Sequence, residues 1–347
     1  MDPKDPVALT QALVRCPSVT PEEGGALTLL QSILEPAGFE CHRMTMSEAD
    51  TPNVENLYAR YGRQGPNLCF AGHTDVVPVG DANGWTHDPF GAVIENGVMY
   101  GRGTVDMKGG IACFISAALR HIEKHGARGS ISLLITGDEE GPSINGTTKV
   151  LDWMDERDER IDACVVGEPT NPNRIGDMIK IGRRGSLTCV LTVKGKQRHA
   201  AYPHQADIPV PKLATFIDRL TNAEIDTGSE NFENTNLEVT IVSVPNTASN
   251  VIPAEARATF NIRYNDNWNR ARMVAWVRET AGAIAGEIGA EIQLNFVGTG
   301  DVFLTKPGPL VDAMRDAIQA VSDQDPVLST GGGTSDARFI QAYCPVI

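Results

Sequence analysis

Apolar positions along the chain fall into two kinds of run, and the kind changes near residue 182. Before that point the runs are continuous: residues 67–71, 131–135 and 163–166 are short and almost wholly apolar, as expected of strands buried on both faces. Between them, Ala26, Leu27, Leu30, Ile33 and Leu34 recur at helical spacing. Ile111, Phe114, Ile115, Ala118, Leu119 and Ile122 do the same. Strands alternating with helices predict an α/β fold: a mixed, largely parallel sheet with helices on both faces and ligand groups gathered at strand ends.

After residue 182 the pattern has period 2. Leu187, Cys189, Leu191 and Val193 alternate with Ser186, Thr188, Val190 and Thr192, which predicts a strand with one buried face. A helix (Val210, Leu213, Ala214, Ile217, Leu220), strands around 237–241 and 258–262, a helix around 268–286 and a strand around 292–296 follow. The order β-α-β-β-α-β predicts a ferredoxin-like unit. We expect it to span 183–297, inserted in a domain formed by 1–182 and 298–347. Helical spacing resumes at Leu310, Met314, Ala317, Ile318 and Val321, and a glycine-rich turn follows at 331–333. The charge run from Asp155 to Asp162 predicts a solvated helix end.

Bulk composition changes this picture little. With 347 residues, 41% of them hydrophobic and 21% charged, the chain reads as an ordinary globular protein of two domains. A net charge of −14 argues against nucleic acid and anionic membranes as partners. Seven scattered cysteines without a C-x-x-C pair fit reduced thiols in a cytoplasm. The first six residues lack the features of a secretory signal, and the apolar run 110–119 is too short to span a membrane.

Chemistry concentrates in four segments: Ala71-Gly-His-Thr-Asp75, Gly101-Arg-Gly-Thr-Val-Asp-Met-Lys108, Thr136-Gly-Asp-Glu-Glu-Gly141 and Gly167-Glu-Pro169. Each follows or flanks an apolar run. Carboxylate oxygens and an imidazole nitrogen at successive strand ends suit one or two divalent cations, zinc first among them. Asp106, in a glycine-rich turn opening a helix, is the expected bridge. His73 and Glu168 would complete one ion, and Glu140 would help hold a second. Asp75 is expected to place its carboxylate on the far ring nitrogen of His73, and Glu139 to act as general base. Arg183 and Arg184 can clamp carboxylates bidentately. The run Ser329-Thr-Gly-Gly-Gly-Thr-Ser-Asp336 lacks the pattern of a nucleotide phosphate loop. His199 and His204, distant in sequence from the metal segments, read as structural taken alone.

These four segments resemble the di-zinc aminoacylase/carboxypeptidase-type metallopeptidases. Gly182-Arg-Arg-Gly-Ser-Leu-Thr188, His199-x-Ala-Tyr-Pro-His204, Ser249-Asn-Val-Ile-Pro253, Phe260-Asn-Ile-Arg263 and Gly332-Gly-Thr-Ser-Asp336 narrow the resemblance to members that deacylate a succinylated diamino diacid. It implies a zinc pair that cobalt can replace, a homodimer formed through the inserted lid domain, and a role in bacterial lysine and diaminopimelate biosynthesis. The substrate would be N-succinyl-LL-2,6-diaminopimelate, with hydrolysis of acetylornithine or another acylamino acid as the competing expectation. By the same resemblance His199 stabilises the oxyanion in the partner subunit's site. Arg183, Ser186, Tyr202, Asn250, Gly333 and Thr334 line the substrate pocket, and the peptide bond after Asp106 is cis. Two departures are visible. Arg198 stands where the family has Gly before the lid histidine. The family's last metal-ligand histidine, from beyond the GGTSD segment, has no counterpart before Ile347, so the C-terminal part is expected to be truncated and a catalytically impaired form is a further alternative.

Overall fold

The computed structural model describes residues 1–126, 128–298 and 300–347. Two compact units emerge. The first comprises Met1–Ile181, Thr305–Leu328 and Ser335–Ile347, and the second Gly182–Leu304 and Ser329–Thr334.

In the first unit, helices α1 (Pro6–Val14), α2 (Ala26–Leu34), α3 (Lys108–His125) and α4 (Thr147–Asp155) surround a five-stranded sheet. Its strands are β1 (Glu40–Met46), β2 (Val54–Tyr61), β3 (Asn67–His73), β4 (Ser130–Thr136) and β5 (Ala163–Val166), in the order β1-β2-β4-β3-β5. The sheet is mixed. β1–β2 and β2–β4 are antiparallel, whereas β4–β3 and β3–β5 are parallel. Helices cover both faces. Leu57, Ala59, Phe70, Leu133 and Ile135 pack with α1, α2 and α3 in one core, while Tyr58, pointing the other way, meets Trp153 of α4 with ring centroids 5.8 Å apart. Sequence supplies the start of α1: the Asp5 carboxylate accepts from the Val7 amide, and Pro6 occupies the first turn, where no N–H is required.

The parallel part of the sheet matters for function, because β3, β4 and β5 end at one edge. His73 is in register with Thr136, and Ala71 with Val166. Residues 345–347 run parallel beside β5, with the Cys164 amide donating to the Pro345 carbonyl at 3.0 Å. In the 155–162 charge run most residues are exposed as expected, but Glu159 is an exception. It accepts from Arg60 Nη1 at 2.6 Å, with both side chains largely buried.

The second unit is built on β6 (Gly185–Lys194), α5 (Pro209–Thr221), β7 (Asn236–Ser243), β8 (Glu255–Tyr264), α6 (Arg270–Ile288) and β9 (Glu291–Val297). The strands form one antiparallel sheet in the order β7-β8-β6-β9, the ferredoxin-like arrangement that period-2 patterning predicts. Leu187, Cys189, Leu191 and Val193 of β6 and Ala256, Ala258, Phe260 and Ile262 of β8 face Leu213, Phe216, Met273 and Val277 of the two helices. Phe303–Leu304 pairs with Gly182–Arg183, which places residues 300–304 in this unit. The Thr330 hydroxyl donates to the Asn231 carbonyl, so the glycine-rich turn lies here too, while Ser335 and Asp336 belong to the first unit.

Candidate metal centre

His73 is the last residue of β3, Glu168 lies two residues past β5, Glu139 and Glu140 follow β4, and Asp106 precedes α3. Close backbone approach brings these ends together. A Cβ on Gly110, in the first turn of α3, would sit 2.6 Å from the Gly167 carbonyl oxygen, and one on Gly167 would sit 2.4 Å from the Phe70 ring. Glycine at both positions lets the loop carrying Glu168 settle onto the helix that follows Asp106. The Asp106–Met107 peptide is cis, as the resemblance implies.

Among the described residues, His73, Asp106 and Glu168 form the group whose donor atoms all lie within 4.8 Å of one another. His73 Nε2 is 3.1 Å from Asp106 Oδ1 and 3.6 Å from Glu168 Oε1. His73 is buried, whereas the Asp106 side chain is half exposed. One imidazole and two carboxylates, converging from three chain segments, match the donor set of a zinc site and its alternatives. Glu140 stands outside this group, though it is near enough to Asp106 and Arg102 for their charges to act on its carboxyl.

Asp75 differs from expectation in one respect. His73 Nδ1 lies 2.8 Å from the Asp75 backbone carbonyl and 3.6 Å from its carboxylate, so the carbonyl is the acceptor. The carboxylate instead accepts from the Glu139 and Glu140 amides at 3.3 and 3.0 Å. The turn at 73–75 folds the carbonyl back under the ring, and this backbone path is not encoded in residue types.

Charge in the cluster is anionic and poorly solvated. Burial pushes the Asp75 carboxyl to about 6, and burial with the nearby Asp336 carboxylate pushes Glu139 to about 8. Burial and the neighbouring Asp106 and Asp336 bring Glu168 to about 7. For His73, burial alone would act downward, but Asp106, Asp75, Glu168 and Glu139 around it raise the ring to about 10. The hydrogen bond from His73 holds Asp106 below its ordinary value. Buried carboxylates that retain protons in this way are relieved by a cation, which displaces the protons and takes their place. The residues present therefore fit a metal centre.

Sequence reading left two buried carboxylates unassigned, although both lie inside quoted motifs. Asp138 accepts from the Ile144 and Asn145 amides, both at 2.8 Å, and so fixes the loop carrying Glu139 and Glu140. Asp336 accepts from the Thr147 hydroxyl at 2.6 Å, tying the 335–340 segment to the start of α4. An acid one glycine beyond an apolar strand was the available signal for Asp138.

The other expected site residues lie in the second unit. Arg183 is buried in its short strand. Ser186, on β6, accepts from Asn261 at 3.2 Å. His199 and Tyr202 are exposed with ring centroids 6.1 Å apart, and the Ala201 amide donates to His199 Nδ1. The Asn250 carbonyl accepts from the Ala200 amide at 2.8 Å. Gly333 is exposed and Thr334 half-buried. Among the described residues, no helix is long and apolar enough to cross a membrane.

Comparison with known proteins gives the family and the fold. Residues 69–347 match the model of peptidase family M20/M25/M40. A succinyl-diaminopimelate desuccinylase of Rhodospirillum centenum is 55% identical over 344 residues, covering 99% of this chain and 88% of its own. Among solved structures, an M20 family metallo-carboxypeptidase of Sulfolobus solfataricus superposes with a TM-score of 0.78 at 18% identity, over 98% of this chain and 88% of its own. A dinuclear metal-binding M20 peptidase of Bacillus subtilis does so with a TM-score of 0.70 at 18% identity, over 98% and 86%. The two solved structures attest the fold, and the family match with the 55% identical relative attests the lineage. The chain is a metal-dependent hydrolase belonging to peptidase family M20/M25/M40.

Proposed function

We propose that the chain hydrolyses the succinyl amide of N-succinyl-LL-2,6-diaminopimelate, giving succinate and LL-2,6-diaminopimelate for lysine and diaminopimelate biosynthesis. The observation that carries the chemistry is the convergence of His73, Asp106 and Glu168. The acyl specificity rests on the 55% identity to the desuccinylase of Rhodospirillum centenum. No comparable observation favours acetylornithine.

His73, Asp106, Glu140 and Glu168 would hold two zinc ions per subunit, for which cobalt would substitute, with Asp106 as the bridge. The ions would polarise the amide carbonyl and acidify the attacking water. Glu139 takes the proton from that water and returns it to the departing amine, as expected of a general base whose burial lifts its proton affinity toward neutral pH. Asp75 keeps Glu139 and Glu140 in place by accepting their backbone amides. His199, from a partner subunit, donates to the developing oxyanion. Arg183 and Ser186 on one segment, Tyr202 and Asn250 on two others, and Gly333 with Thr334 on the glycine-rich turn bind and orient the dicarboxylate.

In this reading the first unit is catalytic and the inserted unit is a lid that also dimerises. Ile241 and Val242 of the edge strand β7 are 58% and 56% exposed, and Val244 just beyond it is 37% exposed, an apolar margin suited to a second copy. All seven cysteines are free thiols, in keeping with a reducing cytoplasm. Assays of succinylated diaminopimelate against acetylornithine test the assignment. A higher kcat/KM for the succinylated amide is expected, and a preference for acetylornithine would sink the proposal.

A further inference from the structure

The loop 226–235, which joins α5 to β7, takes its shape from one carboxylate. Asp226 Oδ1 accepts from the Gly228 amide at 2.9 Å, the Thr235 amide at 3.1 Å and Asn265 Nδ2 at 2.7 Å, and Asp226 Oδ2 accepts from Trp268 Nε1 at 2.7 Å. Asn265, wholly buried, also donates to the Glu233 carbonyl at 3.2 Å. Burial acts upward on the Asp226 carboxyl, yet the Thr235 hydroxyl, the Gly228 and Thr235 amides and the Trp268 indole N–H bring it to about 2. It therefore carries full negative charge across the working range of pH. The loop so fixed makes two outward attachments. The Asn231 carbonyl accepts from the buried Thr330 hydroxyl at 2.5 Å, and the Gly331 amide then donates to Ser329 Oγ at 3.2 Å. The Asn234 carbonyl accepts from Arg184 Nη1 at 3.2 Å, as does Asn236 Oδ1 at the start of β7 at 2.9 Å.

We infer that Asp226 and Thr330 are positioning residues for substrate binding: the loop that Asp226 organises sets Gly333 and Thr334 in register with Arg183 and Ser186. This inference rests on the proposed roles of those four residues toward a succinylated dicarboxylate. Two segments almost 150 residues apart in the chain hang on the same short loop, at Thr330 and at Arg184. The glycine-rich turn between Thr330 and Thr334 has little conformational preference of its own, so its placement depends on such an anchor. A displacement of the order of 1 Å is enough to weaken recognition of the charged end of a substrate.

The test compares Asp226→Asn, Thr330→Val and Thr330→Ser with the unaltered enzyme, reading kcat, KM for the succinylated substrate and Kd for free succinate by calorimetry. Thr330→Val removes the anchoring hydroxyl at nearly constant volume, and Thr330→Ser keeps it. Asp226→Asn and Thr330→Val are expected to raise KM and succinate Kd about tenfold with kcat within about threefold, and Thr330→Ser to restore both. A purely structural role would lower Tm and leave KM and Kd where they were, which overturns the inference. Thr334→Val separates the two levels. If it raises KM while Thr330→Val and Asp226→Asn do not, the positioning role fails and the assignment of Thr334 survives. If Thr334→Val leaves KM unchanged, the assignment fails and takes the inference with it.

Discussion

The Asp75 backbone carbonyl lies 2.8 Å from His73 Nδ1. A carbonyl can only accept, so Nδ1 keeps its proton; once a cation displaces the Nε2 proton that the metal-free ring, raised to about 10, donates to Asp106, the neutral ring presents the lone pair of Nε2 on the side of Asp106 and Glu168. The tautomer that a metal needs is thus set by main chain, and the Asp75 side chain is left to hold the amides of Glu139 and Glu140.

That division of labour makes Asp75→Asn informative. The substitution keeps the carbonyl on His73, so metal content measured by atomic absorption should stay close to that of the unaltered enzyme. It replaces one of two amide-accepting oxygens by an NH2 donor, which disturbs the loop bearing Glu139. The rate should fall about 10–100-fold, the usual cost of losing such a supporting group. Loss of metal with an unchanged rate per bound metal would show that the carboxylate acts on His73 instead.

Glu139→Gln should separate base from ligand in the same sense but with a larger loss of rate. Glu139 is outside the group of three close donors, so both the amide and Glu139→Ala should bind metal normally. The rate should fall about 10²–10⁴-fold, the contribution expected of a positioned general base. An undiminished kcat in either variant would remove Glu139 from that role.

How far the site was legible depended on whether side chain or main chain did the work. His73, Asp106 and Glu168 could be read because each ends an apolar run or opens a helix from a glycine turn, and strand ends in a parallel sheet converge by topology. The role of the Asp75 carbonyl could not, since it follows from the path of three residues. The antiparallel strands β1 and β2 follow no clear alternation: β1 buries Met44 alone, and the pattern of β2 is broken by a buried polar group. Asn56 within β2 is wholly buried and donates to the Asn145 carbonyl at 2.9 Å. Similarly, contiguity in sequence gave no sign that Thr334 and Ser335 would fall in different units; the Thr330 and Thr147 hydrogen bonds decide that.

Removal of the cations should reverse the usual dependence of stability on pH. In the metal-free protein, Asp75, Glu139 and Glu168 titrate near about 6, 8 and 7, above the roughly 4 expected of unfolded chain. The native state then binds more protons than the unfolded state between those limits, so stability falls as pH rises. His73, lifted to about 10, acts in the same direction: its contribution is complete below about 6.5 and is lost through about 10. The Tm of metal-free protein should therefore be highest near about pH 5 and decline toward about pH 9, and metal should flatten the profile. Calorimetric titration with zinc in two buffers of different ionisation enthalpy should register proton release at neutral pH. A metal-free Tm that rises over this range would contradict the carboxylate cluster described above.

Gly110→Ala tests whether close approach of main chain builds the centre. Its Cβ would stand 2.6 Å from the Gly167 carbonyl oxygen, a backbone atom that cannot swing aside as a side chain can. Alanine is otherwise the better helix former, so propensity alone predicts stabilisation of α3. Sterics predict the opposite: α3 and the strand end must separate, at a cost of about 1–3 kcal/mol typical of overpacking. Because Glu168 follows Gly167 and Asp106 lies just ahead of α3, that separation widens the group of donors itself. Gly110→Ala should therefore lower Tm and weaken zinc retention during dialysis against a chelator, both together. Gly282→Ala provides the control, since a Cβ in that helical position of α6 meets nothing within 4 Å. It should hold or raise Tm and leave zinc retention untouched. Equal behaviour of the two variants would mean that α3 and the Glu168 loop are not locked by contact at Gly110.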